Sequence, residues 1–197
     1  MSVLLTASLS AALPLSAASH VDVVKMRTEN RVNPLGIGTS TPRFSWQITS
    51  DRKGVVQTSY QILVASSREK LDRNEADLWD SGERNSDEQL WIPYQGKALL
   101  SGAQAYWKVR ITTNKGKSEW TEPQLFTIGL LGETKWSGTW IGLEDLQPGE
   151  QKGMHTRLAA RYIRKDFAAK GKVKRALAYV AGLGVYEFYV NGQRMGG

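Results

Sequence analysis

The sequence predicts an all-β protein, and three features carry that prediction. Apolar and polar residues alternate in short runs, the period of two that a half-buried strand requires. Turn-forming residues separate the runs at the close spacing of a two-sheet sandwich. About seven such runs fit within roughly 110 residues, the size of one sandwich domain. The clearest stretch covers residues 99–129, LLSGAQAYWKVRITTNKGKSEWTEPQLFTIG. There Trp107, Val109 and Ile111 share one face, and Tyr106, Lys108 and Arg110 share the other. Asn114-Lys115-Gly116 supplies turn chemistry, and residues 125–128 form the returning strand, with Pro123 tolerated near its start.

The earlier elements follow the same logic. Residues 21–27, VDVVKMR, read as the first strand. Asn33-Pro34-Leu35-Gly36-Ile37-Gly38 is a turn-rich loop. Residues 43–48 place Phe44, Trp46 and Ile48 on one face, with Trp46 as the expected core anchor. A loop at 51–54 leads to a strand over 57–66, where Tyr60, Ile62 and Val64 alternate with Ser59, Gln61 and Leu63. Residues 67–76 are polar with weak helical signals, and 77–82 and 89–93 are two short strands. Leu100 and Tyr106, six residues apart, fit a tyrosine corner, in which the phenol bonds back to nearby backbone. With Val109, Arg110, Asn114, Gly116, Ser118 and Trp120, this stretch resembles the last two strands of a fibronectin type III domain.

The character changes after Gly129. Residues 129–153 are rich in glycine and read as a linker whose Trp136 and Trp140 pin one domain against the next. A second β unit is expected from strands over 160–167, 173–181 and 185–190, with Gly182-Leu183-Gly184 turning the chain. Asn191-Gly192 is a hairpin signal. No room is left for a return strand before Gly197, so the chain reads as cut inside its second domain. The expected organisation is a signal peptide at 1–18, a fibronectin type III or Ig-like β-sandwich at 20–130, a linker at 131–156, and at 157–197 the truncated start of a second, jelly-roll-like β-sandwich.

Composition narrows the function. Hydrophobic residues make up 41% of the 197, a proportion that supports a folded core. The formal net charge is +7, yet Lys and Arg are scattered. The one dense run, 170–175, reads as a solvated turn, so nucleic acid is not an expected partner. The absence of cysteine excludes disulfides, cysteine zinc sites and a thiol nucleophile. Residues 3–15 form an apolar run of signal-peptide length, and Ser16, Ala17 and Ala18 allow cleavage after Ala18. The chain is therefore expected to be exported, to the periplasm, the medium or the cell surface; the competing reading is a buried N-terminal strand. The run is too short to span a bilayer, Pro14 breaks it, and no other stretch is long enough.

No motif nominates a catalytic, cofactor-binding or metal-binding residue, and no cofactor is expected. Gly182-x-Gly184 and Gly36-x-Gly38 lack the following helix that a phosphate site needs. His20 and His155, the two histidines, stand alone. Asp77 with Asp80, Asp87 with Glu88, Glu144 with Asp145, and Glu187 read as surface charge rather than as the spaced carboxylate pair of a glycosidase.

Several ordered blocks nonetheless point one way. They are Asn33-Pro34-Leu35-Gly36-Ile37, Pro42-Arg43-Phe44-Ser45-Trp46, residues 57–66 (QTSYQILVAS), Asp77-Leu78-Trp79-Asp80-Ser81-Gly82, Tyr106-Trp107-Lys108-Val109-Arg110, Trp136-Ser137-Gly138-Thr139-Trp140-Ile141-Gly142, and residues 182–192 (GLGVYEFYVNG). Together they resemble the N-terminal region of bacterial α-L-rhamnosidases, inverting glycoside hydrolases. The resemblance implies a fibronectin-like domain followed by a jelly-roll sandwich, an (α/α)₆ barrel and a small C-terminal β domain. It implies that the two catalytic glutamates lie in the barrel, so none is carried over to this chain. The partners it implies are rhamnose-containing glycans or glycosides, through the missing catalytic domain, and that domain itself by intramolecular packing. Two other readings stay open: a stand-alone carbohydrate-binding protein using Trp79, Trp91 or Trp120 as stacking platforms, and a fibronectin-like adhesion module.

Overall fold

The computed structural model describes residues 21–132, 136–142, 145–151, 153 and 159–195. The expected signal peptide, His20, Glu144 and His155 lie outside these residues. The chain divides into two compact units, one reaching residue 134 and one from 135 to 197.

The first unit is an antiparallel sandwich of the Ig type. Its strands are β1 (Val21–Thr28), β2 (Arg43–Ser50), β3 (Gln57–Ala65), β4 (Trp79–Asp80), β5 (Arg84–Asn85), β6 (Ile92–Pro93), β7 (Gln104–Thr113), β8 (Gly116–Lys117) and β9 (Gln124–Thr127). One sheet has the order β1-β2-β6. The other is centred on β3 and β7, with β4 and β5 on the far side of β3 and β8 and β9 on the far side of β7. The inner faces are those the alternation assigns. Phe44, Trp46, Ile62, Val64, Trp107, Val109, Ile111 and Phe126 are all buried, and Phe44 is the hub, its ring centroid 4.4 Å from Trp107, 5.7 Å from Phe126 and 6.3 Å from Trp79. A buried glutamine sits among them without penalty: Trp46 Nε1 donates to Gln57 Oε1, and Gln57 Nε2 donates to the carbonyls of Ser86 and Glu88, each at 3.0 Å.

The outer face of the larger sheet is covered by one turn of helix, α1 (Arg68–Asp72), capped by the Ser67 hydroxyl. Leu71 of this helix packs on Leu63 and Ala65. This explains why Leu63, assigned to the polar side of its strand, is buried as well.

Two features were not legible as strand pattern. Between β8 and β9 the returning strand breaks, and hydroxyls replace the ladder: Ser118 Oγ accepts from the Ile111 N–H at 3.1 Å, and Thr121 Oγ1 from that of Val109 at 3.0 Å. The Asn33-Pro34-Leu35-Gly36-Ile37 loop is a strap that runs along β9. Asn33 Oδ1 accepts from Leu125 N, Pro34 O from Thr127 N, and Thr127 O from Ile37 N, and Ile37 forms a parallel bridge with Ile128. Gly36, at φ +75°, lies against Gly129, where a side chain would stand 3.1 Å from the Gly36 carbonyl oxygen.

The tyrosine corner at Leu100 and Tyr106 is not formed. Leu100 is exposed, and the Tyr106 hydroxyl accepts from Gln104 Nε2 instead of reaching backbone. Tyr94 makes the corresponding backbone bond, its hydroxyl donating to Lys97 O at 2.7 Å. Burial pushes that phenol up to about 12.

In the second unit one hairpin is regular: β10 (Phe188–Val190) pairs with β11 (Gln193–Met195) across Asn191 and Gly192, at φ +50° and +79°. A return strand is present after all, contrary to the expectation that none fits before Gly197, because a two-residue turn needs only three residues to close a ladder. The strands expected over 160–167 and 173–181 do not form among the described residues. Tyr162 is 95% and Phe167 82% exposed, and an alternating pattern without a ladder partner does not make a strand. Trp136 and Trp140 are exposed too. A local knot holds this unit's polar side, with Glu150 accepting from Arg161 and from the backbone N–H groups of Gln147 and Ala159.

Candidate functional site

Exposed aromatic rings with polar neighbours are the natural place to look, because rings with no core role have been kept at the surface at a solvation cost. The three candidate platforms divide. Trp79 is buried in the core, stacked near Phe44 and edge-on to Tyr94 at 5.4 Å. Trp120 roofs the small cluster under α1; its ring takes the Arg110 guanidinium at 4.4 Å and the Lys108 ammonium at 5.2 Å. Lys108 is itself buried, donates to the Leu71 carbonyl, and has its amine pushed down by that burial. Both rings are structural.

Trp91 differs. It precedes β6, whose ladder with β2 sets Arg43 opposite Pro93 and Phe44 opposite Ile92. Its backbone is left-handed, φ +59°, and its N–H donates to Ser45 Oγ at 3.0 Å. The indole is turned outward, 46% exposed, with the Arg43 guanidinium 4.3 Å from its centroid. Arg43 is fixed in turn by Glu29: Nε to Oε1 at 3.1 Å, Nη2 to Oε2 at 2.7 Å, and the Arg43 backbone N–H to Oε1 at 2.8 Å. These bonds hold the Glu29 carboxyl below its ordinary range. Beside the pair opens a shallow cleft of about 620 Å³, walled by the Pro34–Gly38 strap and lined by Arg31, Thr39 and Thr41 as well as Glu29 and Arg43.

Three of the carboxylates that read as surface charge, Asp77, Asp80 and Glu187, are engaged locally. Burial alone would raise the Asp77 carboxyl, but the Lys70 ammonium at 2.6 Å and both the N–H and hydroxyl of Ser66 outweigh it and hold it at about 2. Asp80 accepts from Gln61 Nε2 and Gly82 N, and Glu187 from the Tyr189 hydroxyl. Among the described residues no group of three or more His, Asp or Glu side chains is placed to hold a metal, and no helix is long and apolar enough to cross a membrane. Sequence reasoning reached Trp91 but not its partners. Glu29 and Arg43 lie 14 residues apart and meet only because the chain turns back from β1 into β2; a left-handed glutamate is not visible in a residue pattern.

The fold defines an Ig-like β-sandwich. Residues 23–132 match the family model described as the Rha78A-like, N-terminal immunoglobulin domain, and the chain belongs to that family. An α-L-rhamnosidase of Formosa agariphila is 35% identical over 193 residues, covering 90% of this chain and 20% of that protein. The crystal structure of Streptomyces avermitilis α-L-rhamnosidase complexed with L-rhamnose superposes with a TM-score of 0.58 at 36% identity, over 62% of this chain and 12% of that one. The structure of α-L-rhamnosidase from Dictyoglumus thermophilum gives 0.59 at 34% identity, over 64% of this chain and 14% of that one. The chain spans about a fifth of the length of the curated relatives it matches.

Proposed function

We propose that the chain is the non-catalytic N-terminal part of an exported α-L-rhamnosidase, an enzyme releasing terminal α-L-rhamnose. In this reading the Ig-like domain is an accessory body that packs against the catalytic domain, and rhamnose-bearing glycans are met through that domain. One observation carries it: nine-tenths of this chain aligns with one-fifth of an α-L-rhamnosidase, and residues 23–132 match an N-terminal Ig family. The aromatic core supports the accessory role, because a close-packed sandwich gives a rigid body against which a larger domain can be positioned. Export rests on the apolar run at 3–15 and the small residues Ser16, Ala17 and Ala18.

The test is an assay of the gene's full product on 4-nitrophenyl α-L-rhamnopyranoside, beside a version lacking residues 21–132 and beside this chain alone. The full product is expected to release nitrophenol, the deletion to lose activity together with thermal stability, and this chain to release none. Turnover by this chain alone, or a full product inert on every α-L-rhamnoside tried, overturns the reading. Export is checked by N-terminal sequencing of the mature protein from cell fractions, which is expected to begin at Ser19.

A further inference from the structure

Backbone strain at a surface residue asks what that strain maintains. Among the described residues seven non-glycine positions have φ in the left-handed region. Four of them are asparagines, which tolerate it. The others are Lys25, in the irregular stretch of β1, and Glu29 and Trp91. Glu29 takes its value with Asn30 in the two-residue turn closed by the Thr28–Arg31 bridge, where both central residues are left-handed, which leaves Trp91, joined to Glu29 through Arg43, as a strained residue outside any such turn. A glycine would take the Trp91 conformation freely, whereas an indole there is an outlier. What the strain maintains is an aromatic ring aimed out of the core, backed by a guanidinium that a carboxylate has locked in place.

We propose that Trp91, Arg43 and Glu29 form a saccharide-binding subsite on the Ig-like domain, taking one neutral pyranose ring. The C–H face of the sugar lies on the indole, the apolar part of an otherwise polar ligand meeting the apolar part of the site. The ring hydroxyls turn to the charged pair. A guanidinium has five N–H donors and Glu29 takes two; the Arg43 side chain is 48% exposed. Glu29 Oε2 accepts one bond, so a lone pair remains on it for a hydroxyl. Arg43 and Glu29 form a neutral pair beside the ring, which suits an uncharged ligand better than a second carboxylate competing with Glu29 for the guanidinium. An apolar protein surface laid here would strip water from the guanidinium and from the Thr39 and Thr41 hydroxyls without replacing it; a polyol replaces it. The locked geometry means that little side-chain freedom is lost on binding. With a single ring and a few bonds, the affinity falls in the millimolar range. The subsite holds sugar and does no chemistry, so it stands apart from the hydrolytic reading above.

The test uses the full 197-residue chain, ¹⁵N-labelled, titrated with methyl α-L-rhamnopyranoside and separately with methyl β-D-glucopyranoside up to about 50 mM. Trp91→Gly removes the ring while taking the left-handed backbone freely, so the variant is expected to keep a cooperative thermal melt. It also identifies the Trp91 signal as the one missing from the seven indole cross-peaks. The expected result is a saturable shift of that cross-peak with at least one sugar, the buried indoles staying still. Saturation transfer to the sugar drops at least fivefold in Trp91→Gly and severalfold in Arg43→Lys. Two outcomes overturn the proposal: neither sugar moves the Trp91 signal, or Trp91→Gly keeps undiminished saturation transfer. A Trp91 signal that ignores sugar but broadens with protein concentration also overturns it and marks the ring as a protein contact. Rhamnoside turnover, assayed separately on the full product, is untouched by any of these failures.

Discussion

Two stretches of this chain carry similar side chains and end in opposite states. Strand β3 sets Tyr60, Ile62 and Val64 on one face, all of them buried. Residues 173–181 carry Val173, Leu177, Tyr179 and Val180, each at least 40% exposed. What separates them is the ladder. β3 is bonded along its length to β7 and on its other edge to β4 and β5, so its inner face meets the opposite sheet, and Leu63 and Ala65 on its outer face meet α1. Residues 173–181 have no ladder partner among the described residues. Alternation decides which face of a strand will be apolar; the neighbour decides whether there is a strand.

Limited trypsin digestion should show the largest contrast. Arg164, Lys165, Lys170, Lys172 and Lys174 are exposed in a stretch with no regular structure, whereas Arg43, Lys108 and Arg110 sit in ladders. Mass spectrometry is expected to find the first cuts between residues 164 and 174 and a resistant product containing residues 21–132. First cuts at Arg52 or Lys53, in the exposed loop after β2, would remove the contrast.

Next in size is the removal of one ring from each region. Phe44 is fully buried and touches three aromatic rings, so Phe44→Ala should cost about 3–5 kcal/mol of unfolding free energy, read from urea melts. Phe167 is 82% exposed, and Phe167→Ala should change the same melt by less than about 0.5 kcal/mol. A comparable loss at both positions would mean that the second unit shares a core not evident in its exposure.

The same contrast explains how far the residues alone could be read. In the first unit, alternation put Phe44, Trp46, Ile62, Val64, Trp107 and Val109 on the correct face, because these strands have sheets to pack on. Non-local pairing escaped it. Whether Leu63 is buried depends on α1 folding back over the outer face, and the Asn33–Ile37 strap depends on β9 lying more than 90 residues along the chain. The tyrosine was misplaced for a related reason: Tyr106 has the right spacing from Leu100, but Tyr94 stands where free carbonyls are. Trp91 was visible as an aromatic in a short strand, yet its outward aim comes from a backbone angle that composition does not encode.

Tyr94 offers a smaller and pH-dependent test. Its folded phenol, held up at about 12, contributes stability that is complete below the unfolded value near 10 and lost as pH rises through 12. Tyr94→Phe removes the bond to Lys97 O and should cost about 1–2 kcal/mol at neutral pH. It should also flatten the alkaline fall in thermal midpoint between about pH 10 and 12. Tyr162→Phe, at a 95% exposed position, should leave the midpoint at neutral pH as it is.

The smallest effect sets one carboxylate of each unit against the other. Asp77 and Glu150 are both held at about 2, Asp77 by Lys70 and Ser66 against its own burial, Glu150 first by Arg161 and then by two backbone N–H groups. A depressed folded value gives stability that is present above the unfolded value near 4 and lost as pH falls towards 2. Asp77 ties α1 to the end of β3, inside the cooperative sandwich. Because the Lys70–Asp77 pair is about one-third exposed, solvent screening reduces the contribution, and Asp77→Asn should cost about 1 kcal/mol near pH 6, with the difference from the parent vanishing at about pH 2. Glu150 joins Gln147, Ala159 and Arg161, where no ladder among the described residues depends on it. Carboxyl ¹³C shifts should therefore report both groups titrating near pH 2, while only Asp77→Asn moves the acid limb of the thermal melt. If Glu150→Gln moved that limb equally, the knot would be part of the same cooperative unit as the sandwich, and the division between the two stretches would lie further along the chain than the ladders place it.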